Sequence, residues 1–343
     1  MKILGIDTSC DETAAAVVED GETILSNVVA TQIPFHAEYE GVVPEIASRK
    51  HTEWISEVTR EAIDKAGISA GDLDGVAVTA HPGMLGSLLV GLNFAKAFAY
   101  ALNIPFIAVN HMLAHLYASR LAEERPGYPF LGLLASGGHS IICRVDDFDA
   151  ITVLGATIDD AVGEAFDKVA KHYGFGYPGG AAIDRMARQG DASAFRFPMP
   201  NLYKGEHRYD FSYSGLKTAV INQLEQFRIK TNPTREDIAA SFQKTAVEIL
   251  LRSLFRAVED TGLTTVVAGG GVAANSLLRA RIAEQCAMGR GGALRAVFPP
   301  LSLCGDNGAM VAGLGFRRLE RGDRSPLDTV ASARVRGFKK KYP

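Results

Sequence analysis

The feature that most limits the fold of this chain is a pattern of short apolar segments that occurs twice. Residues 3–7 (Ile-Leu-Gly-Ile-Asp) and residues 130–134 (Phe-Leu-Gly-Leu-Leu) are strand-like runs with a central glycine. Each is followed by a polar turn and a second apolar run, at 14–18 in the first half and at 140–145 in the second, which predicts a β-hairpin in each half. Similarity this faint also arises by chance in α/β chains, so duplication is one of two interpretations.

Each half continues with a helix and with a strand that runs into a glycine-rich turn. In the first half, residues 51–66 have the apolar spacing of a helix, and the strand 75–79 leads into a Pro-Gly turn and an apolar helix. In the second half, the helix at about 235–260 leads to the strand 264–268 and a Gly-Gly-Gly turn. The pattern predicts two similar α/β domains.

We place the boundaries of these domains as follows. The first domain comprises residues 1–110 with a C-terminal helix at about 306–323, the second comprises residues 111–305 with an insert at about 155–235, and residues 324–343 form a tail. Two such domains whose glycine hairpins face each other would form a cleft, and hairpin N–H groups can surround a phosphate there. The chain has neither the GxxxxGK[ST] pattern of a P-loop nor the GxGxxG pattern of a Rossmann domain.

Two histidines follow an apolar run that ends at Val109. His111 and His115 are four residues apart in a segment with helical periodicity, so their side chains share one face and can reach one metal ion. The alternative is a pair of ordinary helix histidines, one packed and one solvated. Met112 stands where the HExxH helix of a metalloprotease has its general base, so a metal here would hold or polarise a ligand. A third ligand must come from far away in the sequence.

Composition limits the class of protein. The chain has 343 residues, is 47% hydrophobic and carries a net charge of −3, with a pI of about 6.3. A nucleic-acid binder that acts alone is usually basic, so contact with RNA would need local basic patches or a partner. Asp7 interrupts the first apolar residues, no run is long enough to cross a bilayer, and the four cysteines form no CxxC pair. We therefore expect a cytoplasmic protein with reduced thiols and no membrane contact.

Several motifs together resemble one enzyme family, the tRNA N6-adenosine threonylcarbamoyltransferases. The match covers nearly all of residues 1–320. It is carried by the segments at 5–13 (Gly-Ile-Asp-Thr-Ser-Cys-Asp-Glu-Thr), 41–51, 111–115 (His-Met-Leu-Ala-His), 136–140 (Ser-Gly-Gly-His-Ser), 163–171, 177–180, 211–218 (Phe-Ser-Tyr-Ser-Gly-Leu-Lys-Thr), 269–275 and 304–310 (Cys-Gly-Asp-Asn-Gly-Ala-Met).

The resemblance implies a fold and a reaction. The fold is that of actin, Hsp70 and the sugar kinases: two duplicated α/β domains with an interdomain nucleotide cleft. The reaction moves the threonylcarbamoyl group of threonylcarbamoyl-AMP to N6 of the adenosine 3′ of the anticodon, in tRNAs that read codons beginning with A. The implied partners are tRNA, a catalytically inactive paralogue of the same fold, which would contact residues within about 30–65, and a small P-loop ATPase.

The resemblance also assigns site residues. The metal ligands fall on His111, His115 and Asp306, with iron(II) as the favoured divalent metal and zinc as the alternative. The adenylate-binding positions fall on Leu134, Ala135, Ser136, Gly137, Gly138, Asp167, Gly180, Asp184 and Asn275.

Each position also has a structural interpretation. Glycines at 137 and 138 let backbone N–H groups approach a phosphate, but they also suit a tight hairpin. Asp167 and Asp184 suit ribose hydroxyls, yet such residues are also common on helix surfaces. Asn275 either contacts adenine or caps the helix that follows.

Two acidic residues on the first hairpin turn are candidates for the proton transfer that the attacking N6 requires. Asp11 and Glu12 would organise that step or the tRNA, and the alternative is that they brace the turn. Two other functions stay open at this point. A sugar-kinase-like phosphotransferase would need a catalytic aspartate and has no use for a histidine pair. A non-catalytic scaffold would be expected to lack both this pair and the glycine-rich second half.

Overall fold

The computed structural model describes residues 1–202, 204–289 and 294–334. The chain divides into two compact units. Unit 1 comprises Met1–Arg125 with the segment that begins at Pro299, and unit 2 is Pro126–Phe298. The sequence-based boundaries placed residues 111–125 and 299–305 in the second domain instead. Residues 111–117 belong to unit 1 because this helix packs on the C-terminal helix of that unit. Part of the predicted tail, residues 335–343, lies outside the described residues.

Unit 1 is built on a five-stranded mixed sheet. Its strands are β1 (Lys2–Asp7), β2 (Glu12–Glu19), β3 (Thr23–Thr31), β4 (Gly75–His81) and β5 (Phe106–Asn110). The sheet order is β3-β2-β1-β4-β5. Strand β2 is antiparallel to both β1 and β3, whereas β4 and β5 are parallel to β1. Its helices are α1 (Ile33–His36), α2 (Pro44–Lys65), α3 (Leu85–Leu102), α4 (His111–Tyr117) and α10 (Gly308–Glu320).

Unit 2 repeats this topology. Its strands are β6 (Phe130–Ala135), β7 (Ser140–Asp147), β8 (Ala150–Ala156), β9 (Thr265–Gly269) and β10 (Arg295–Val297). The order β8-β7-β6-β9-β10, with the same parallel and antiparallel pairs, matches unit 1 strand for strand. The helices are α5 (Val162–Tyr173), α6 (Gly179–Ala187), α7 (Ser214–Asn222), α8 (Arg235–Thr261) and α9 (Ser276–Met288). The predicted duplication of an α/β domain is therefore confirmed.

Close backbone contacts hold α10 against the sheet of unit 1. A Cβ at Gly5 would lie 2.2 Å from the carbonyl oxygen of Gly308, and one at Gly315 would lie 2.2 Å from the Cβ of Ala77. No side chain tolerates such distances, so glycine is required at these two positions. This packing fixes the start of α10 next to β1.

The sequence-based statement that no apolar run is long enough to cross a bilayer is wrong for α3. This helix has the length and composition of a membrane span, and it is the one such helix among the described residues. The core helix of a globular domain passes the same test, and α3 packs against α2 and β4 of unit 1. Residues Leu88, Leu92 and Ala95 of the helix are fully buried in this packing.

Candidate functional site

Two helices of unit 1 begin at the predicted metal ligands. The side chain of Asn110 accepts hydrogen bonds from the backbone N–H groups of Met112 and Leu113, so α4 starts at His111. The side chain of Asn307 directly after Asp306 accepts from the N–H of Met310 and caps α10, which starts at Gly308. Asparagine is among the best N-caps, which is why both helices start at these residues.

The three predicted ligands lie together. The Nε2 atoms of His111 and His115 are 3.1 Å apart, and Oδ1 of Asp306 lies 3.1 Å from Nε2 of His115 and 3.4 Å from Nε2 of His111. Three atoms that each lie about 2.1 Å from one divalent ion are roughly 3.0 to 3.4 Å apart, for ligand angles between octahedral and tetrahedral. The three side chains therefore fit one face of a metal coordination sphere.

Sequence reasoning missed the residue behind His111. Asp7 is buried at the end of β1, and its Oδ2 accepts hydrogen bonds from Nδ1 of His111 at 3.0 Å and from the hydroxyl of Thr79 at 2.6 Å. Its Oδ1 accepts from the backbone N–H and the hydroxyl of Ser9. A carboxylate that accepts from Nδ1 keeps the proton there and leaves the Nε2 lone pair for a metal. The position of Asp7 at the carboxyl end of a buried strand was the available signal.

His115 is held differently. Its ring is 1% exposed, and its Nδ1 has no hydrogen-bond partner within the described part of the chain. Its Nε2 lies 3.1 Å from the carboxylate of Asp306, so no partner in the described part of the chain holds the proton on Nδ1 in the way that Asp7 does for His111.

The charges of the site are strongly coupled. Burial favours the neutral ring of His111, but the carboxylates of Asp306 and Asp7 outweigh this effect and raise its pKa to about 9. Burial and the neighbouring charge of His111 lower the pKa of His115. Burial disfavours the charged form of Asp306, yet the two imidazoles and Ser9 hold the pKa of its carboxyl well below the usual range. The metal-free site thus pairs an anionic carboxylate with a charged His111 ring, and a cation would bind by displacing a proton from that ring.

The turn that carries the two acidic candidates is held by one imidazole. Nε2 of His51 lies 2.9 Å from the carbonyl oxygen of Cys10 and must donate to it, so Nδ1 accepts the hydroxyl hydrogen bond of Thr13 at 2.8 Å. His51 is fully buried and therefore fixes the turn from both ends, around Asp11 and Glu12. Burial first, and then the carboxylates of Asp306 and Asp11, raise the pKa of Glu12 to about 10.

The nine predicted adenylate positions all lie in unit 2. Leu134 and Ala135 end β6, and Ser136, Gly137 and Gly138 form the turn that follows. The first turn of α5 abuts this turn, since a Cβ at Gly163 would lie 2.6 Å from the carbonyl oxygen of Ser136. By contrast, a Cβ at Gly137 or Gly138 would meet no atom of the described chain within 4 Å. The turn therefore has open space where a ligand could approach its backbone.

The side chains of three other predicted adenylate positions form hydrogen bonds within unit 2. Oδ1 of Asp167 accepts the N–H of Gly179 at 2.8 Å, next to Gly180, whose missing Cβ also faces open space among the described residues. Oδ1 of Asp184 accepts from the backbone N–H and the hydroxyl of Ser276. Asn275 caps α9, because its Oδ1 accepts the N–H of Leu278. The capping interpretation of Asn275 is thus present in the structure, and the amide nitrogen of Asn275 donates to Oε1 of Gln243 at 3.2 Å.

Fold and site together define an α/β protein of two duplicated units, one of which carries a His₂Asp cluster that could hold a metal ion. Residues 23–313 match the family model of the tRNA N6-adenosine threonylcarbamoyltransferases. The chain is similar to proteins of that name from Treponema denticola, at 64% identity over 99% of both chains, and from Treponema pallidum, at 57% identity over 99% of this chain and 95% of the other. The chain belongs to the tRNA N6-adenosine threonylcarbamoyltransferase family.

Solved structures support the same fold. HypF from T. kodakarensis has a TM-score of 0.62 at 16% identity, over 93% of this chain and 48% of its own. Component A of the (R)-2-hydroxyglutaryl-CoA dehydratase of Acidaminococcus fermentans has a TM-score of 0.56 at 14% identity, over 93% and 99% of the two chains. At such identities the likeness concerns the fold alone. The prediction of two actin-like α/β domains is confirmed.

Proposed function

We propose that this chain transfers the threonylcarbamoyl group from threonylcarbamoyl-AMP to N6 of the adenosine 3′ of the anticodon, in tRNAs that read codons beginning with A. The observation that carries the proposal is the triad of His111, His115 and Asp306 in a chain 64% identical to a named transferase over its whole length. The reaction takes place in the cytoplasm, where tRNA is used.

The bond changes define what the protein must supply. N6 of adenosine attacks the carbamoyl carbon, the bond from that carbon to the phosphate oxygen breaks, AMP leaves with the electron pair, and N6 loses a proton. AMP is a good leaving group, so stabilisation of charge on the carbonyl and phosphate oxygens matters most. A divalent metal on the triad supplies a Lewis acid and a template for the donor.

The residues of the chain have separate roles in this proposal. The open backbone at Gly137 and Gly138 faces the phosphate, and the carboxylates of Asp167 and Asp184 accept hydrogen bonds from ribose hydroxyls. Of the two acidic residues on the first turn, we assign the proton acceptor to Asp11. Burial and the carboxylates of Asp306 and Asp11 raise the pKa of Glu12 in the metal-free protein, which makes Glu12 the weaker candidate for the base, and Glu12 would instead brace the turn.

Two histidines and a carboxylate with open positions suit iron(II), as in other 2-His-1-carboxylate sites, and zinc is the alternative. Elemental analysis of protein purified without added metal, with and without His115→Ala, tests this assignment. We expect about one iron per chain in the parent and loss of the metal in the variant. Zinc at full occupancy in active protein would overturn the choice of iron.

The accessory partners are part of the proposal. An inactive paralogue would contact residues within about 30–65, where Phe35 and Tyr39 expose 43% and 51% of their surface and α2 presents a charged face. A small P-loop ATPase would complete the system. Co-purification of the paralogue with the parent chain, and its loss on Phe35→Asp, is the expected result.

The transfer of labelled threonine to tRNA tests the function directly. The assay combines the chain, the enzyme that makes the donor, and the accessory proteins, with and without a chelator. We expect labelled tRNA that disappears when the metal is removed, and Asp11→Ala should lower single-turnover transfer while AMP still binds. ATP-dependent phosphorylation of a small molecule without labelled tRNA would instead support a kinase.

A further inference from the structure

A buried amide side chain stands in the middle of α8. Gln243 is 4% exposed, and Phe242 and Ala246 on the same helix are fully buried. The backbone groups of a helix interior bond to each other, so the helix itself does not require an amide at this position. Burying an amide among apolar neighbours costs free energy unless both of its ends are hydrogen-bonded. The partners of Gln243 therefore indicate its role.

Gln243 joins two of the predicted adenylate residues. Its Nε2 donates to Oδ1 of Asp184 at 3.1 Å, and its Oε1 accepts from Nδ2 of Asn275 at 3.2 Å. Asp184 lies on α6 and Asn275 precedes α9, so one side chain connects three helices within unit 2.

The direction of this chain of hydrogen bonds is fixed by the backbone. The N–H of Leu278 can only donate, so the capping atom of Asn275 must be its oxygen, and its nitrogen must face Gln243. Gln243 then presents its oxygen to Asn275 and its nitrogen to Asp184, where the carboxylate can only accept. Each amide has a single orientation that satisfies every partner, which makes the group rigid.

The same contacts aim one oxygen of Asp184 outward. Its Oδ1 accepts from Gln243 and from the N–H and hydroxyl of Ser276. Its Oδ2 pairs with Arg188, whose side chain is 66% exposed, and an exposed pair of this kind contributes little. A ribose hydroxyl can therefore replace Arg188 at Oδ2 without disturbing the contacts of Oδ1.

We propose that Gln243 is a positioning residue of the adenylate site, which holds the carboxylate of Asp184 and the amide of Asn275 in one fixed arrangement for the nucleoside of the donor. The proposal rests on the proposed function. Gln243 itself touches neither the ribose nor the base and acts through its two partners.

The test measures AMP binding by calorimetry in the parent protein and in Gln243→Met, which keeps the length of the side chain and removes both hydrogen bonds. We expect AMP to bind roughly five- to thirtyfold more weakly, as for the loss of one or two net hydrogen bonds. Gln243→Glu keeps the size and places a second carboxylate against Asp184, so its loss should be larger. Ser253→Ala is the control, because it removes a buried hydrogen bond from the same helix, to the carbonyl of Asp210, and should leave AMP binding unchanged.

A double-mutant cycle separates positioning from a general loss of stability. In an Asp184→Asn background, Gln243→Met should weaken AMP binding by much less than it does in the parent, because the group it positions is already altered. The proposal would be overturned if Gln243→Met weakened AMP binding equally in both backgrounds. It would also be overturned if both Gln243 variants bound AMP like the parent while Asp184→Asn bound it more weakly. Either result would leave the proposed nucleotide site in place. Absence of AMP binding by the parent protein would instead overturn the proposed nucleotide site and this inference with it.

Discussion

Asp7→Asn should weaken metal binding without removing a ligand. The fixed N–H of Ser9 requires an acceptor, so the oxygen of the introduced amide must take the place of Oδ1 and the amide nitrogen must face His111. His111 then has to accept at Nδ1, which moves its proton to Nε2. That proton occupies the lone pair that a metal needs, although the ring itself has not moved.

The magnitude follows from the contacts of the site. Replacing an outer-shell partner of a metal-bound histidine costs about ten- to a hundredfold in metal affinity, or about 1.4 to 2.7 kcal/mol. We expect the upper part of this range, because the amide presents a donor to a ring nitrogen that must itself donate whenever the metal is bound. Thr79→Val is the matched control. It removes one donor from the same Oδ2, leaves the bond from His111 intact, and should change the affinity by less than about threefold.

Two measurements check this prediction. Competition with a chromophoric chelator gives the zinc affinity of the parent, Asp7→Asn and Thr79→Val. Because the pKa of His111 is raised to about 9, nitrogen NMR of labelled histidine is recorded above about pH 10, where the ring is neutral and the spectrum reports which nitrogen carries the remaining proton in the metal-free protein. Parent-like zinc affinity in Asp7→Asn, together with an unchanged tautomer, would refute the role given to Asp7.

Three further predictions concern the surroundings of the two sites. Gly163→Ala should lower both the melting temperature and the affinity for AMP, because the new Cβ would meet the carbonyl oxygen of Ser136. Gly180→Ala should weaken AMP binding at an unchanged melting temperature, because its Cβ would meet no atom of the described chain. Parent-like AMP binding by Gly180→Ala would exclude contact between AMP and this position. His51→Leu should slow transfer more than tenfold and cost about 1 to 3 kcal/mol of stability, with metal content retained, because both contacts to the turn are lost. Hydrogen bonds from the backbone of Thr234 and Asp191 and the ammonium of Lys230 hold the pKa of Asp237 well below its usual range, so its contribution to stability is complete above the unfolded value of about 4 and is lost only as the pH falls toward the lower folded pKa. Asp237→Asn should destabilise at pH 7 by about 1 to 3 kcal/mol, and denaturant titrations should show this difference shrinking steadily as the pH is lowered below about 4.

The strands and helices with strong periodicity were predictable, and the weakly patterned ones were not. Apolar runs identified β1, β2, β4, β6 and β9 because they are buried on both faces. The predicted helix at 51–66 begins at Pro44 instead. Proline favours the first turn of a helix, and residues 44–50 carry too little apolar pattern for that start to be predicted. The edge strand β10 has only three residues, too few for alternation to be recognised.

Ligands on one helix turn are visible in a sequence, whereas those brought together by packing are not. The spacing of His111 and His115 indicated a shared face from the residues alone. Asp306 was assigned only through the family resemblance, because its position depends on glycine contacts that hold α10 on β1.

The residues that resemblance and spacing both missed have one property in common: each forms a hydrogen bond with a predicted site residue far away in the chain. Asp7 is 104 positions from His111, and Gln243 is 59 positions from Asp184. A buried aspartate at a strand end and a buried glutamine in an apolar helix each contradict the local pattern, and burial of such groups is stable only when every donor and acceptor is paired. The useful signal in such a sequence is therefore the polar residue that does not fit its apolar surroundings, and its partner becomes identifiable once the fold is known.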